Sequence, residues 1–200
     1  MGEAIAPGTA RSAVGGHRIP KPGCGGWGEA RENGTVTSVF RVCFVCTGNI
    51  CRSPMAEAVF RRLIAENRLE RRIEVGSAAT GDWHVGERAD ARTIAALSKR
   101  GYDATAHRAR QFDPAWLPDL DLVVAFDRGQ ERILREWAGE DDQGTVQLLT
   151  AFDPESSTVV DVPDPYYSDA ALFDTVLVTI ERASTALFRQ LVPGIRQGAS

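Results

Sequence analysis

The sequence of 200 residues lacks the features of a membrane or secreted protein. No apolar run approaches the roughly 18 residues that a membrane-spanning helix needs. The N-terminus has no apolar stretch like that of a secretory signal peptide, so we expect a cytoplasmic protein, although export without a signal peptide stays open. Four cysteines are too few for a disulfide scaffold in a chain of this length. Three of them cluster at Cys43, Cys46 and Cys51, which suits a reducing compartment and thiol chemistry.

The chain also lacks an excess of positive charge, because its formal net charge is −4. Nothing in the composition therefore calls for nucleic acid as a partner, and we expect no membrane partner either. The hydrophobic fraction of 43% is ordinary for a globular protein and suffices for a proper core. The length fits one domain with or without a tail, and we expect a monomer or a weak dimer.

Residues 1–38 differ in composition from the rest of the chain. They hold nine of the 19 glycines and three of the 10 prolines, and their apolar residues show no period. Such a segment cannot bury enough surface to offset its ordering entropy. We therefore predict a disordered N-terminal extension over 1–38 and a folded domain over 39–195. The extension is a tail without function, the result of a start codon assigned too early, or a segment for targeting or partner docking.

From residue 39 onward, short β-rich runs alternate with amphipathic helical patterns. This alternation predicts a single α/β domain with a four-stranded parallel sheet flanked by helices on both faces. The predicted strands are 39–45, 72–77, 120–126 and 145–149. The first predicted helix begins after an N-cap at Ser53. The other predicted helices cover 88–100, which Gly101 ends, 128–137 and 169–191. Side chains at the carboxyl ends of the strands should converge, among them Cys46, Ser77 and Asp127.

The stretch V-C-F-V-C-T-G-N-I-C-R-S-P places Cys46 and Arg52 at the two ends of a short loop, with five residues between them. A tight loop that leads into a helix directs backbone N–H groups and the positive end of the helix dipole at one point, so an oxyanion binds without a metal. The guanidinium of Arg52 can donate to two phosphoryl oxygens at once. The same positive potential favours the thiolate of Cys46, which makes it a nucleophile.

Attack by Cys46 on phosphorus would give a phosphocysteine, and the departing oxygen would then need a proton. Asp164, in V-P-D-P-Y-Y, is the best candidate for this acid, with Asp161 as the nearest rival. No second pair of ligands accompanies Cys46 and Cys51, so we expect no zinc site and no cofactor. The loop also lacks the second glycine and the lysine of a nucleotide-binding P-loop.

C-T-G-N-I-C-R-S-P, S-A-A-T-G-D-W-H-V-G and D-P-Y-Y together resemble the low-molecular-weight protein tyrosine phosphatases, in detail the bacterial members of actinobacterial type. The resemblance covers about residues 39–192. It implies metal-independent hydrolysis of phosphotyrosine in partner proteins, through a phosphocysteine. Cys46 matches the nucleophile, Arg52 the phosphate clamp and Asp164 the general acid that later acts as base. The loop residues that would bind the substrate are Thr47, Gly48, Asn49, Ile50 and Cys51.

The resemblance also implies roles around the loop. Trp83 and Tyr166 match the aromatic walls that accept a phenyl ring, with Tyr167 beside them. Cys51 matches a second cysteine that forms a reversible disulfide with the nucleophile under oxidation, although a plain filler at the helix start remains the alternative. The residues that match a hydrogen-bond network holding the loop in shape are Asn49, Ser53, Ser77 and His107.

Two close relatives of this family fit the sequence less well. Thiol-relay arsenate reductases need a further cysteine pair, and no cysteine follows Cys51. Protein-arginine phosphatases carry a small threonine where Ile50 stands, so the bulk of Ile50 favours a phenyl phosphate. A phosphotyrosine-binding module without catalysis is the non-enzymatic alternative, which the intact Cys46 and Asp164 disfavour. Asp127 stays undecided between a helix cap and a site-supporting role.

Overall fold

The computed structural model describes residues 31–32, 35–36, 39–139, 145–155 and 161–197. The strands are β1 (Arg31–Glu32), β2 (Thr35–Val36), β3 (Phe40–Cys46), β4 (Ile73–Ala79), β5 (Leu122–Ala125) and β6 (Val146–Leu148). The helices are α1 (Arg52–Glu66), α2 (Ala91–Lys99), α3 (Arg128–Ala138) and α4 (Ala170–Gln197). None of the described helices is long and apolar enough to cross a membrane. Apart from β1 and β2, which pair antiparallel, the predicted disordered extension lies outside the described residues and stays a prediction.

The main sheet has the strand order β4-β3-β5-β6, and every neighbouring pair is parallel. This confirms the predicted four-stranded parallel sheet. Residues 42–46 of the inner strand β3 are apolar without interruption because both faces of the sheet are covered there. Its alternating side chains enter two different cores. Val42 and Phe44 pack towards α1, α2 and α4, whereas Cys43 and Val45 pack towards α3 and the 3-10 helix Pro114–Asp119.

Helix boundaries differ from the predicted ones, most of all at the starts of α1 and α2 and at the end of α4. Helix α1 begins at Arg52, so the predicted N-cap at Ser53 is wrong; Cys51 takes that position without a side-chain cap. The hydroxyl of Ser53 is instead used inside the structure, as described below. Helix α2 begins at Ala91, three residues later than predicted, because Asp90 caps it by accepting a hydrogen bond from the backbone N–H of Arg92. The predicted glycine stop at its end is confirmed, since Gly101 has a φ of +77°.

Helix α4 continues six residues beyond its predicted end at residue 191. Pro193 lies inside this last part of the helix, although proline lacks the N–H that an interior helical position needs. The last turns are nevertheless held in place, since Nη2 of Arg72 donates to the carbonyl oxygen of Ile195 at 2.7 Å.

An ion pair fastens α4 to the segment after β6. Arg182 donates through Nε and Nη2 to the two carboxylate oxygens of Asp153, each at 2.7 Å, and through Nη1 to Glu155 at 2.7 Å. The side chain of Asp153 is only 2% exposed. The hydrogen bonds from Arg182 lower the pKa of Asp153 below its ordinary value. Arg182 therefore stabilises the ionised form of Asp153 in the interior.

Replacing Arg182 with methionine should lower the free energy of unfolding at pH 7 by about 1.5–3 kcal/mol, because it strands a buried carboxylate. The depressed pKa means that this stabilisation is present above the unfolded pKa of about 3.9 and lost as the pH falls through the folded value. Urea unfolding should show that the difference in unfolding free energy between wild type and Arg182→Met is smaller below about pH 4 than at pH 7. Lys99→Met, which breaks the exposed pair with Asp174, should cost less than about 1 kcal/mol; equal losses would contradict the argument.

Candidate active site

The loop between β3 and α1 is held by neighbouring segments that donate to its carbonyl oxygens. The carbonyl oxygens of Cys46 and Thr47 accept hydrogen bonds from the backbone N–H groups of Thr80 and Gly81, at 2.8 and 3.0 Å. The loop leads directly into α1, whose first N–H groups have no acceptor within the helix. A helix N-terminus of this kind attracts an anion.

Asn49 sits at the centre of the loop in a left-handed conformation, with a φ of +55°. Its side chain is fully buried, and both its amide nitrogen and its amide oxygen form hydrogen bonds. Nδ2 donates to the hydroxyls of Ser53 and Ser77 at 2.8 and 2.9 Å, and Oδ1 accepts from the backbone N–H of Arg110 at 3.0 Å. These three hydrogen bonds offset the cost of the unusual backbone conformation and keep the loop in one shape.

His107 and Glu57 complete this hydrogen-bond network. Nε2 of His107 lies 2.7 Å from the carbonyl oxygen of Asn49. Burial lowers the pKa of His107, so the neutral ring donates through that nitrogen. The hydroxyl of Ser77 donates to the carboxylate of Glu57. Glu57 was not singled out in the sequence. Its position one turn after Ser53 on α1 places both side chains on the same face of the helix, which could have indicated it.

The sulfur of Cys46 lies at the start of the loop and is buried. It is 3.0 Å from the hydroxyl of Ser53, which also lies 3.3 Å from the carbonyl oxygen of Ala78. When the sulfur is a thiolate, the Ser53 hydroxyl donates to it. Cys51 and Cys43 are also free and buried, and burial raises the pKa of each of these two thiols to about 12.

Arg52 is the most heavily bonded side chain of the site, although only 3% of it is exposed. Nη1 donates to Asp127 at 2.9 Å and to the carbonyl oxygen of Val162 at 3.0 Å. Nη2 donates to Asp164 at 2.6 Å and lies 3.5 Å from the hydroxyl of Thr47. Its Nε is buried and has no hydrogen-bond partner among the described residues. That donor is suited to an oxygen of an anion bound in the loop.

Asp127 combines the two roles between which the sequence left it undecided. Its Oδ2 accepts from Arg52, and its Oδ1 caps α3 by accepting from the backbone N–H of Gln130 at 2.8 Å. Gln130 is buried and donates through Nε2 to the hydroxyl of Thr47 at 3.1 Å. Sequence reasoning missed Gln130, because a polar residue in the first turn of a helix gives no indication of the loop it contacts.

Aromatic side chains surround the loop. Trp83 is 71% exposed and follows Gly81, whose N–H is bonded to the loop. The ring of Tyr166 is half-buried and lies 5.7 Å from the ring of His84. Tyr167, which is 97% exposed, stands edge-on to Tyr166 at 4.8 Å.

Three loop positions are tightly packed. A Cβ atom at Gly48 would lie 2.9 Å from Cδ2 of His84, so this position suits glycine. Ile50 is 6% exposed and Cys51 is 4% exposed, so both side chains are packed into the body of the protein. Of the residues singled out in the sequence, hydrogen bonds join Asn49 with Ser53, Ser77 and His107, and Asp127 and Asp164 both contact Arg52.

Comparison with known proteins agrees with this geometry. Residues 41–195 match the family described as low molecular weight phosphotyrosine protein phosphatase. A low molecular weight protein-tyrosine-phosphatase of Streptomyces coelicolor is 52% identical over 150 residues, which covers 74% of this chain and 91% of the relative. The structure of YfkJ from Bacillus subtilis is 36% identical with a TM-score of 0.73, over 78% of this chain and 97% of YfkJ. A YwlE arginine phosphatase mutant with a phosphorylated active-site serine is 26% identical with a TM-score of 0.67, over 76% and 95%.

Proposed function

The chain belongs to the low molecular weight phosphotyrosine protein phosphatase family, and on this premise we propose that it hydrolyses phosphotyrosine in proteins without a metal. The observation that carries the proposal is the position of Arg52. Its buried guanidinium contacts Asp164, and it has a spare donor in the loop that Cys46 begins. A nucleophile, an anion clamp and an acid therefore share one loop and its rim.

The first chemical step transfers the phosphoryl group to Cys46. The phosphate binds in the loop and accepts hydrogen bonds from Arg52. Asp164 is thereby released from its contact with that guanidinium. The sulfur attacks phosphorus, the S–P bond forms, and the bond from phosphorus to the tyrosine oxygen breaks. Asp164 gives its proton to that departing oxygen, so tyrosine leaves as a neutral phenol.

The second step returns the enzyme to its starting state. Asp164, now ionised, takes a proton from a water molecule, whose oxygen attacks the phosphorus of the phosphocysteine. The S–P bond breaks and inorganic phosphate leaves. The thiolate of Cys46 is stabilised as leaving group by the hydroxyl of Ser53, which lies 3.0 Å from the sulfur. In the same scheme, Asn49, Ser77 and His107 keep the loop in shape.

The surroundings of the loop favour an aryl phosphate as substrate. Trp83 and Tyr166 would form the walls beside the phenyl ring, with Tyr167 and His84 next to them. The substrates are then phosphotyrosine-containing proteins in the cytoplasm. We assign the activity to a catalytic domain over 39–195 in a monomer or weak dimer. Oxidation would join Cys46 and Cys51 in a reversible disulfide.

Arginine dephosphorylation is the second candidate, because the YwlE arginine phosphatase shares the fold. The position that separates the two activities is Ile50. Its bulk would hinder a phosphoguanidinium group, which a threonine would admit. A change from isoleucine to threonine removes volume and adds a hydroxyl, and a pocket contact of this size changes discrimination by about 10–200-fold.

Rates on matched phosphotyrosine, phosphoserine and phosphoarginine peptides, measured in EDTA, test the specificity. We expect the phosphotyrosine peptide to be preferred by about 100-fold over each of the others, because only its ring fills the space between the walls. Ile50→Thr should raise the relative rate on phosphoarginine. Ile50→Val, which has nearly the shape of threonine without its hydroxyl, is the matched control. Comparable wild-type rates on the three peptides would contradict the proposal.

A further inference from the structure

The general acid lies on a loop without regular secondary structure, residues 161–168, here called the acid loop. The half of this loop before Asp164 is fixed to the end of β5 and the start of α3. The backbone N–H of Val162 donates to the carbonyl oxygen of Phe126 at 2.8 Å, and Asp161 accepts from the backbone N–H of Arg128 at 3.0 Å. These contacts do not reach the residues that follow Asp164.

Hydrogen bonds from a single side chain hold the backbone of the acid loop after Asp164. Arg92, in the first turn of α2, donates through Nη2 to the carbonyl oxygen of Tyr166 at 3.0 Å and through Nη1 to that of Ser168 at 2.7 Å. Among the residues that the structure describes, no other group outside the loop forms a hydrogen bond with residues 165–168. The position of Asp164 therefore depends on Arg92 from one side and on β5 from the other.

Arg92 is itself held rigidly, although it is 35% exposed. Its Nε and Nη2 donate to the two carboxylate oxygens of Asp90 at 2.9 and 2.7 Å. The guanidinium lies 4.4 Å above the ring of Phe173. Four of its five N–H donors are thus engaged, and the planar group is stacked on an aromatic face. The hydrogen bonds from Arg92 lower the pKa of Asp90, so the carboxylate remains charged.

Asp90 joins the same arrangement to the phosphate-binding loop. Its backbone N–H donates to the carbonyl oxygen of Ile50 at 2.9 Å. The two residues Asp90 and Arg92 therefore contact both loops of the site. The distance between the acid and the bound phosphate is set through the start of α2 as well as through the direct contact of Asp164 with Arg52.

We propose that Arg92, held by Asp90, is a positioning residue for the general acid. It fixes the acid loop relative to the phosphate-binding loop, so that the carboxyl group of Asp164 faces the departing oxygen. This role rests on the proposed function, in which Asp164 gives that oxygen its proton. Arg92 contacts neither the substrate nor the reacting atoms, and its effect passes entirely through Asp164.

Leaving groups of different basicity test this role. A residue that places the acid matters for a substrate whose leaving oxygen needs a proton, and hardly at all for one that leaves as a stable anion. Arg92→Gln should lower kcat/KM for phenyl phosphate by about 10–100-fold, since a displacement of about 1 Å can cost 100-fold. For 2,4-dinitrophenyl phosphate the loss should stay below about threefold. The specificity constant is the readout because it covers phosphoryl transfer to Cys46 but not the later hydrolysis.

A double-substitution experiment separates positioning from general support of the fold. In an Asp164→Ala background, Arg92→Gln should cause no further loss with phenyl phosphate, because its effect passes through the missing carboxyl. Arg100→Gln, at the other end of α2, breaks the ion pair of Arg100 with Glu181. It should leave both rates and their ratio unchanged.

Three results would overturn the role of Arg92 alone: equal losses on the two substrates, no loss on either, or additive losses in the double variant. A different result marks failure of the proposed function itself. If wild-type protein hydrolysed neither substrate, or if Cys46→Ser kept the wild-type rates, the phosphocysteine mechanism would be wrong. The positioning role of Arg92 would then be wrong as well.

Discussion

Replacing Cys46 with serine is expected to abolish hydrolysis of p-nitrophenyl phosphate, with a loss on the order of 10⁴–10⁶-fold in kcat. Serine is nearly the same size and leaves the loop, the Asn49 network and the clamp of Arg52 in place. Its hydroxyl, however, holds its proton far too tightly for the helix N-terminus and Ser53 to stabilise the deprotonated form. The nucleophile is then lost while the anion site survives.

The measurement combines activity in EDTA with binding of inorganic phosphate by calorimetry. Cys46→Ser should bind phosphate about as well as wild type, which shows that the loop is intact. Cys43→Ala is the matched control at a second buried cysteine of β3, three residues away. Burial raises the pKa of the Cys43 thiol to about 12, and its side chain packs on the opposite face of the sheet from Phe44. This variant should keep full activity; wild-type turnover in Cys46→Ser would contradict the cysteine mechanism.

The local sequence around Cys46 was sufficient to predict the strand, loop and helix that follow one another there. A buried strand, a seven-residue segment from Cys46 to Arg52 and a helix follow one another without interruption, so chain connectivity alone brings Cys46 to the helix N-terminus. The parallel sheet then accounts for Asp127, because the carboxyl ends of neighbouring strands meet at one edge. The fold class was predictable because strand-like and helix-like hydrophobic patterns alternate along the sequence as the strands and helices do in the structure.

The supporting contacts were harder to predict, because they depend on how segments far apart in the chain pack together. Ser53 has the ideal residue type for an N-cap, but its hydroxyl contacts Cys46 and Asn49, and the helix begins one residue before it. Arg92 was not among the residues singled out in the sequence. Its contacts with Tyr166 and Ser168 span 74 and 76 residues of sequence, so no local pattern could indicate them.

Arg52→Lys is expected to lower kcat/KM for aryl phosphates by about 10²–10³-fold, even though the positive charge is kept. An ammonium is a compact point charge, whereas the guanidinium is a rigid fork. In this site the fork contacts Asp127 with Nη1 and Asp164 with Nη2, and its buried Nε has no hydrogen-bond partner among the described residues. A lysine can reach one of these acceptors at a time, so it cannot both hold Asp127 and donate twice to the phosphate.

The loss should appear in kcat as well as in KM, because charge on the phosphoryl oxygens shifts during transfer and a two-point donor stabilises that arrangement best. Arg62→Lys is the control on the same helix, at an exposed arginine paired with Glu66, and it should leave both constants unchanged. A variant of Arg52 that lost only phosphate affinity, with kcat intact, would mean that the guanidinium acts as a simple charge. The planar fork and its two carboxylate partners would then serve the stability of the loop and not the transition state.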